Sequence, residues 1–158
     1  MIFIFDLDET LIDSAHRTPN NPDGTLNLAA YIAKHTPENV WRDTLLPMMR
    51  IFQQLRERGE KIWILTARDM AQCDYDFLAH HGIVADKIMS RDRVTKNGHY
   101  KASDGNYKMR WLQPLRNLKQ FAKQHFVLFD DAAPVLSAMR RAGITALNAK
   151  KLNAKLVA

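Results

Sequence analysis

Cysteine is nearly absent from the 158 residues: Cys73 stands alone, which excludes an internal disulfide framework and predicts a reducing, cytoplasmic setting. No apolar run approaches the roughly 18 residues that span a bilayer, so no membrane partner is expected. The first apolar run lacks a basic flank and turns acidic at once, unlike a signal peptide. Internal repeats and low-complexity tracts are missing. So is any Gly-x4-Gly-Lys-Ser/Thr loop, which excludes a nucleotide kinase of that type. Acidic residues are scarce in one half. Residues 1–86 carry 8 Lys and Arg against 13 Asp and Glu, a balance of −5, while residues 87–158 carry 15 against 4, or +11. Such a basic half fits either a polyanionic partner, nucleic acid being the commonest, or a plainly solvated surface. The remaining composition, 46% apolar and 25% charged, is that of an ordinary globular chain, and the length suits one domain, 1–158.

What is present is concentrated at Phe3-Ile4-Phe5-Asp6-Leu7-Asp8-Glu9-Thr10-Leu11. A short aromatic and β-branched run reads as a buried parallel strand, and it breaks into two carboxylates one residue apart. In extended chain, residues two apart share a face, so Asp6 and Asp8 address one small space. Both stay ionised there only beside a cation, which asks for a metal ion, an acid/base pair, or both. The competing explanation is an acidic turn that caps a helix.

Along the chain, residues 12–40 read as a polar flap or loop region with one weak helical stretch at 26–34. Pro47 suits the first turn of a helix that ends at Gly59, and residues 61–65 form a strand running into Thr66-Ala67-Arg68-Asp69. Asp69 is expected to cap the next helix, with Met70, Cys73 and Phe77 on its apolar face and Gly82 at its end. Residues 86–90 read as a short strand and 91–105 as a loop. Tyr107, Trp111, Leu115, Leu118 and Ala122 make a helical stripe that Pro114 kinks or divides. The strand at 125–129 ends in Asp130-Asp131. A helix follows with Pro134 in its first turn and Gly143 closing it, then a strand at 144–147 and a basic tail, 148–158, as a helix or frayed end. Strands alternating with helices predict an α/β fold: a Rossmann-like three-layer sandwich around a mostly parallel sheet.

Three of these strands end in chemistry: Asp6 and Asp8, Thr66, and Asp130 with Asp131. Parallel strands bring such ends to one edge, and Lys108 opens a helix after the third strand. A nucleophile, cation-binding carboxylates and donors for charged oxygens are what phosphoryl transfer requires. In order and spacing over nearly the whole chain, these residues resemble the four motifs of the haloacid dehalogenase superfamily of phosphohydrolases. The resemblance implies a covalent aspartyl-phosphate mechanism with Asp6 as nucleophile and Asp8 as acid and then base. It implies Thr66 and Lys108 on the phosphoryl group and Mg²⁺ held by Asp6, the Asp8 carbonyl, Asp130 and Asp131. Thr10 would orient the Asp8 side, toward substrate. The intervals of 57 residues from Asp8 to Thr66 and 41 from Thr66 to Lys108 leave room for a small flap and not for a full cap domain.

Within that superfamily the chain is most similar to the 3′-phosphatase domain of polynucleotide kinase/phosphatase. Arg17, Arg68 and Asp104 match its pattern, which implies Arg17 and Arg68 as guanidinium forks on the substrate phosphate and Asp104 as a support for Lys108. The expected substrate is then a nucleic acid 3′ end or a nucleotide, and any kinase or ligase partner would be a separate polypeptide. Glu9 departs from that domain, which has glycine there; Asp-Leu-Asp-Glu-Thr is also the form seen in FCP/SCP-type protein phosphatases. The alternatives are a phosphatase of small metabolites or nucleoside 5′-monophosphates, a protein phosphatase, and a non-catalytic nucleic-acid-binding module.

Overall fold

The computed structural model describes residues 1–91 and 102–157. Five strands, β1 (Ile2–Phe5), β4 (Lys61–Leu65), β5 (Lys87–Met89), β6 (Phe126–Asp130) and β7 (Thr145–Asn148), form one sheet in the order β5-β4-β1-β6-β7. Every neighbouring pair is parallel, with Phe5 opposite both Ile64 and Phe129. The chain works outward from β1 through β4 to β5, then returns to β6 on the other side of β1. Crossovers therefore diverge between β1 and β6, and the carboxyl ends of these two strands border the crevice where open α/β sheets bind ligands.

Alternation along the strands decides which helices cover each face. Phe5, Ile62, Ile64 and Phe129 pack with Phe52 of α3 (Met49–Glu57), Phe77 of α4 (Gln72–His80) and Leu152 of α7 (Ala149–Leu156). Ile2, Ile4, Trp63 and Leu128 pack with Tyr107 and Leu112 of α5 (Asp104–Asn117) and Val135 and Met139 of α6 (Ala133–Arg141). The result is the expected three-layer sandwich. Among the described residues no helix is long and apolar enough to cross a membrane.

Several boundaries differ from expectation. The helix after Thr66 begins at Gln72 with Ala71 at its N-cap, and Asp74 rather than Asp69 reaches back to the Ala71 N–H at 2.8 Å. Helix α5 runs unbroken through Pro114, and it already contains Gly105, expected in the preceding loop. Residues 92–101 of that loop lie outside the described residues. A side chain at Gly105 would meet Ala138 Cβ at 3.3 Å, so the glycine lets α5 approach α6 closely. The basic tail is an ordered helix, α7, whose Asn153 accepts from the Met48 N–H (2.8 Å) and donates to the Thr10 carbonyl (3.1 Å).

Residues 12–40, read as a flap, are docked on the sandwich. Strands β2 (Ile12–Asp13) and β3 (Thr44–Leu45) pair antiparallel and enclose a 3₁₀ turn (Ala15–Arg17), α1 (Leu28–Lys34) and α2 (Pro37–Val40). Trp41 lies edge-on to Phe77 of α4 with ring centroids 5.9 Å apart.

Because Asn153 satisfies two buried main-chain groups from distant segments, Asn153→Ala should lower stability by about 1–3 kcal/mol. A shift of the urea midpoint with an unchanged slope would show this; an unchanged midpoint would mean that α7 does not hold the Thr10 loop.

Candidate active site

At the carboxyl end of β1 the chain passes from strand to a tight turn in which the N–H groups of Thr10, Leu11 and Ile12 all point at the Leu7 carbonyl. Glu9 within that turn has φ +55°, a left-handed conformation that favours glycine. A residue with a side chain thus occupies a backbone conformation that glycine adopts without strain. The Glu9 carboxylate in turn accepts from the Ser14 N–H at 3.2 Å.

The Asp6 carboxylate emerges from this turn into a buried cluster. The Lys108 ammonium, from the second turn of α5, stands 3.0 Å from Asp6 Oδ1 and 2.6 Å from Asp130 Oδ2 at the end of β6. Asp130 also accepts from the Ala132 N–H at 2.9 Å, which fixes its second oxygen. Burial alone would push Lys108 toward losing its proton, yet the attraction of Asp6 and Asp130 outweighs it and holds the ammonium above the usual lysine range. Burial drives the Asp6 carboxyl upward, with the Asp130 and Asp8 charges adding to it, and Lys108 opposes them. Asp131, raised to about 6 by burial and then by the Asp130 charge, completes the group. Carboxylate oxygens of Asp6, Asp130 and Asp131 lie within 4.8 Å of one another, an all-oxygen set suited to a hard divalent cation. Three carboxylates face one ammonium there, so a cation also fits the charge.

Asp8 belongs to a second cluster. Arg68, just beyond β4, donates to both its oxygens (2.6 and 3.2 Å), and the Ser14 hydroxyl donates to Oδ1 at 2.6 Å. Although burial pushes Asp8 upward, the Arg68 guanidinium and then Ser14 bring it far below the usual carboxylate range. Arg68 is itself spoken for, with Asp74 at 2.7 Å and Asp43 at 3.7 Å. Asp74 accepts from His35 on the far side (2.7 Å), and Asp43 holds Arg17 through Nε and Nη2 (2.9 and 2.8 Å) and lies 2.8 Å from His16. His35, Cys73 and Asp74 also fall within ligating range of one another. The Asp74 oxygens already accept from Arg68, His35 and Ala71, and the guanidinium beside them opposes a cation.

Of the residues singled out in the sequence, Asp6, Lys108, Asp130 and Asp131 converge in one place. Thr66 is fully buried at the end of β4, its hydroxyl oxygen accepting from the Arg68 N–H at 3.0 Å. Arg17 is fully buried and turned to Asp43, with Nη1 unpartnered. Arg68 lies on Asp8 instead of facing an open phosphate site. Thr10 does not orient Asp8: Ser14 and Arg68 do, and the buried Thr10 hydroxyl has no partner among the described residues. Asp104 does not support Lys108 either; it is exposed and pairs with Arg91 at 2.9 Å. Sequence reasoning missed Ser14, Asp43 and Asp74, which acquire meaning through partners 6 to 39 positions away. Arg68 was the one legible sign that some carboxylate must meet it.

A parallel sheet whose β1 and β6 ends carry these carboxylates around a lysine agrees with the arrangement that the resemblance to the haloacid dehalogenase superfamily implied. Among solved structures, the chain is similar to a haloacid dehalogenase-like family hydrolase from Streptococcus pneumoniae (TM-score 0.63, 16% identity, covering 93% of this chain and 83% of that one). It is also similar to a chain of the Pnkp1/Rnl/Hen1 RNA repair complex (TM-score 0.65, 22% identity, covering 93% of this chain and 41% of that one). Over residues 1–158 the sequence matches the family described as bacteriophage T5 5′-deoxynucleotidase, and the chain belongs to that family. The 5′-deoxynucleotidase of Escherichia phage T5 is 29% identical over 170 residues, covering 96% of this chain and 68% of that protein. Family membership makes the chain a phosphoric monoester hydrolase, and its fold is haloacid dehalogenase-like.

The buried Arg17–Asp43 pair and the exposed Asp104–Arg91 pair should respond differently to mutation. Arg17→Met should destabilise the protein by about 3–5 kcal/mol, because the buried Asp43 carboxylate loses the guanidinium that bonds both its oxygens. Asp104→Ala should stay within about 0.5 kcal/mol, as exposed pairs do. Comparable losses from both, in urea unfolding, would contradict the buried assignment of Arg17.

Proposed function

We propose that the chain is a Mg²⁺-dependent phosphomonoesterase acting on nucleoside 5′-monophosphates, deoxynucleotides foremost, through a phosphorylated Asp6. The observation that carries this reading is the Lys108 ammonium bridging Asp6 and Asp130 at the sheet crevice, with Asp8 beside them. The 5′ preference is supported by family membership. Two residues on which a 3′-end reading rested, Arg17 and Asp104, have other partners.

Asp6, Asp130 and Asp131, with the Asp8 main-chain carbonyl, would hold Mg²⁺, which supplies positive charge to the phosphoryl oxygens. In the first step an Asp6 oxygen attacks phosphorus and the bond to the nucleoside oxygen breaks. Asp8 gives its proton to that leaving oxygen. Lys108 opposes the burial that raises the Asp6 carboxyl and faces the charge on the transferring group, and the Thr66 hydroxyl donates to a phosphoryl oxygen. In the second step water attacks phosphorus, Asp8 takes its proton, and the Asp6 carboxylate is restored. The arrangement around Asp8, with Arg68 and Ser14 on its oxygens, suits the second step, since it holds the ionised form. For the first, Arg68 must loosen its two bonds to Asp8 as the ester enters. Arg68 is thus a positioning residue for the acid.

Asp6→Asn should lower turnover by about three orders of magnitude or more while preserving the fold, because an amide cannot form the acyl phosphate. Substantial residual turnover would mean another nucleophile. Chelation should abolish activity and added Mg²⁺ restore it. In a panel of 5′-deoxynucleotides, 3′-nucleotides and 3′-phosphorylated oligonucleotides, the 5′-deoxynucleotides should be hydrolysed fastest. Preference for the oligonucleotide ends would overturn the nucleotide reading in favour of a 3′-phosphatase.

A further inference from the structure

Beyond the catalytic lysine, the elements after Asp104 carry cations that serve neither cluster. No Asp or Glu occurs at positions 105–129 or 132–158. Lys119 and Lys123 stand exposed on the turns that follow α5, and Arg140 and Arg141 stand exposed in the last turn of α6. The two groups adjoin: Arg116, at the end of α5, donates to the Ala142 carbonyl just after α6 (2.7 Å). From there the chain passes through the edge strand β7 to α7 on the opposite face, where Lys150, Lys151 and Lys155 are exposed. Among the described residues none of these side chains has a carboxylate within ion-pair distance. In chain order these cations run from the turns after α5, past the end of α6 and across the edge strand β7 to α7, and we call this path the basic belt.

The two ends of the belt differ. Lys150 lines a cavity of about 130 Å³ with Glu9, Asp131, Leu46 and Asn153, so this end opens beside the acidic site. At the other end a hollow of about 300 Å³ is lined by Gln113, Arg116, Asn117, Phe121, Ala122 and Gln124, which offer amide and guanidinium groups. Cations spaced along a path match a chain of repeated negative charges better than a single small anion, which would need them to converge. Large exposed apolar side chains along the belt are scattered singly, at Leu118, Leu147 and Val157, and offer no patch to enter a membrane. A path that turns around a sheet edge suits a flexible strand; duplex DNA stays stiff over roughly 150 base pairs.

We infer that the basic belt around β7 binds the phosphate backbone of single-stranded nucleic acid, separately from the hydrolysis of phosphomonoesters. The test is fluorescence anisotropy with a labelled single-stranded oligodeoxynucleotide that carries no terminal phosphate, in the absence of divalent cations. Neither condition involves the phosphatase site, so this result and the catalytic reading stand or fall independently. Affinity should fall linearly with the logarithm of salt concentration, and Lys119→Glu/Lys123→Glu/Arg141→Glu together should weaken binding about tenfold or more at low salt. The same variant should keep its circular dichroism and its turnover of a small aryl phosphate. Absent or salt-independent binding, an unchanged affinity in the variant, tighter binding of duplex, or equal competition by polyglutamate or anionic vesicles would each overturn the inference.

Discussion

A buried ammonium set between two buried carboxylates is the constraint around which the rest is arranged. Without Lys108, the buried Asp6 and Asp130 carboxylates would lie within a few ångströms of each other at the ends of adjacent strands with no counter-charge between them. The lysine is delivered by helix packing. Tyr107 and Leu112 anchor α5 on the sheet, and Gly105 admits α6 alongside, so the helix presents Lys108 inward over the crevice. The parallel β1–β6 pairing does the complementary work of placing Asp6 and Asp130 side by side. Core and site are one construction here: a change that tilts α5 moves the only cation that the first cluster contains among the described residues.

The second cluster shows the same economy with guanidinium groups. Arg68 joins Asp8 of the β1 turn to Asp74 of α4 and approaches Asp43 of the segment between α2 and β3. Arg17 then ties Asp43 to the 3₁₀ turn, and His35 ties α1 to Asp74. Buried ion pairs of this kind contribute little net stability relative to apolar packing, but they penalise any arrangement that separates them. Here they specify how the 14–43 insertion sits on the sandwich. They also make the Asp8 carboxylate sensitive to that segment, since Ser14, within it, and Arg68 both donate to Asp8.

Strand ends were readable because the two signals needed, an apolar run and an abrupt carboxylate, are local. The first motif, Thr66, the Asp130-Asp131 pair and the alternation of strands and helices required no knowledge of partners. Lys108 was readable only by its place in the family's motif order, since nothing around it in the sequence announces burial. Arg17 and Asp104 were assigned to the substrate phosphate and to Lys108. Their partners are instead Asp43 and Arg91, chosen by packing of segments 26 and 13 residues away. The misplaced cap at Asp69 has a similar cause: Asp74 competes for the same helix start and wins by bonding the Ala71 N–H while also meeting Arg68. The ordered α7, read as a helix or a frayed end, is held by Ala149, Leu152 and Leu156 on the core and by a buried asparagine that pattern reading treats as surface.

The central claim is that Asp6, paired with Lys108, becomes covalently phosphorylated. The most direct measurement is acid quenching of the protein during turnover of a deoxynucleoside 5′-monophosphate, followed by mass spectrometry of its peptides. The account predicts a phosphoryl adduct on Asp6, accumulating further when Asp8→Asn slows the hydrolytic step. Turnover without any adduct on Asp6, or an adduct on a different residue, would contradict it.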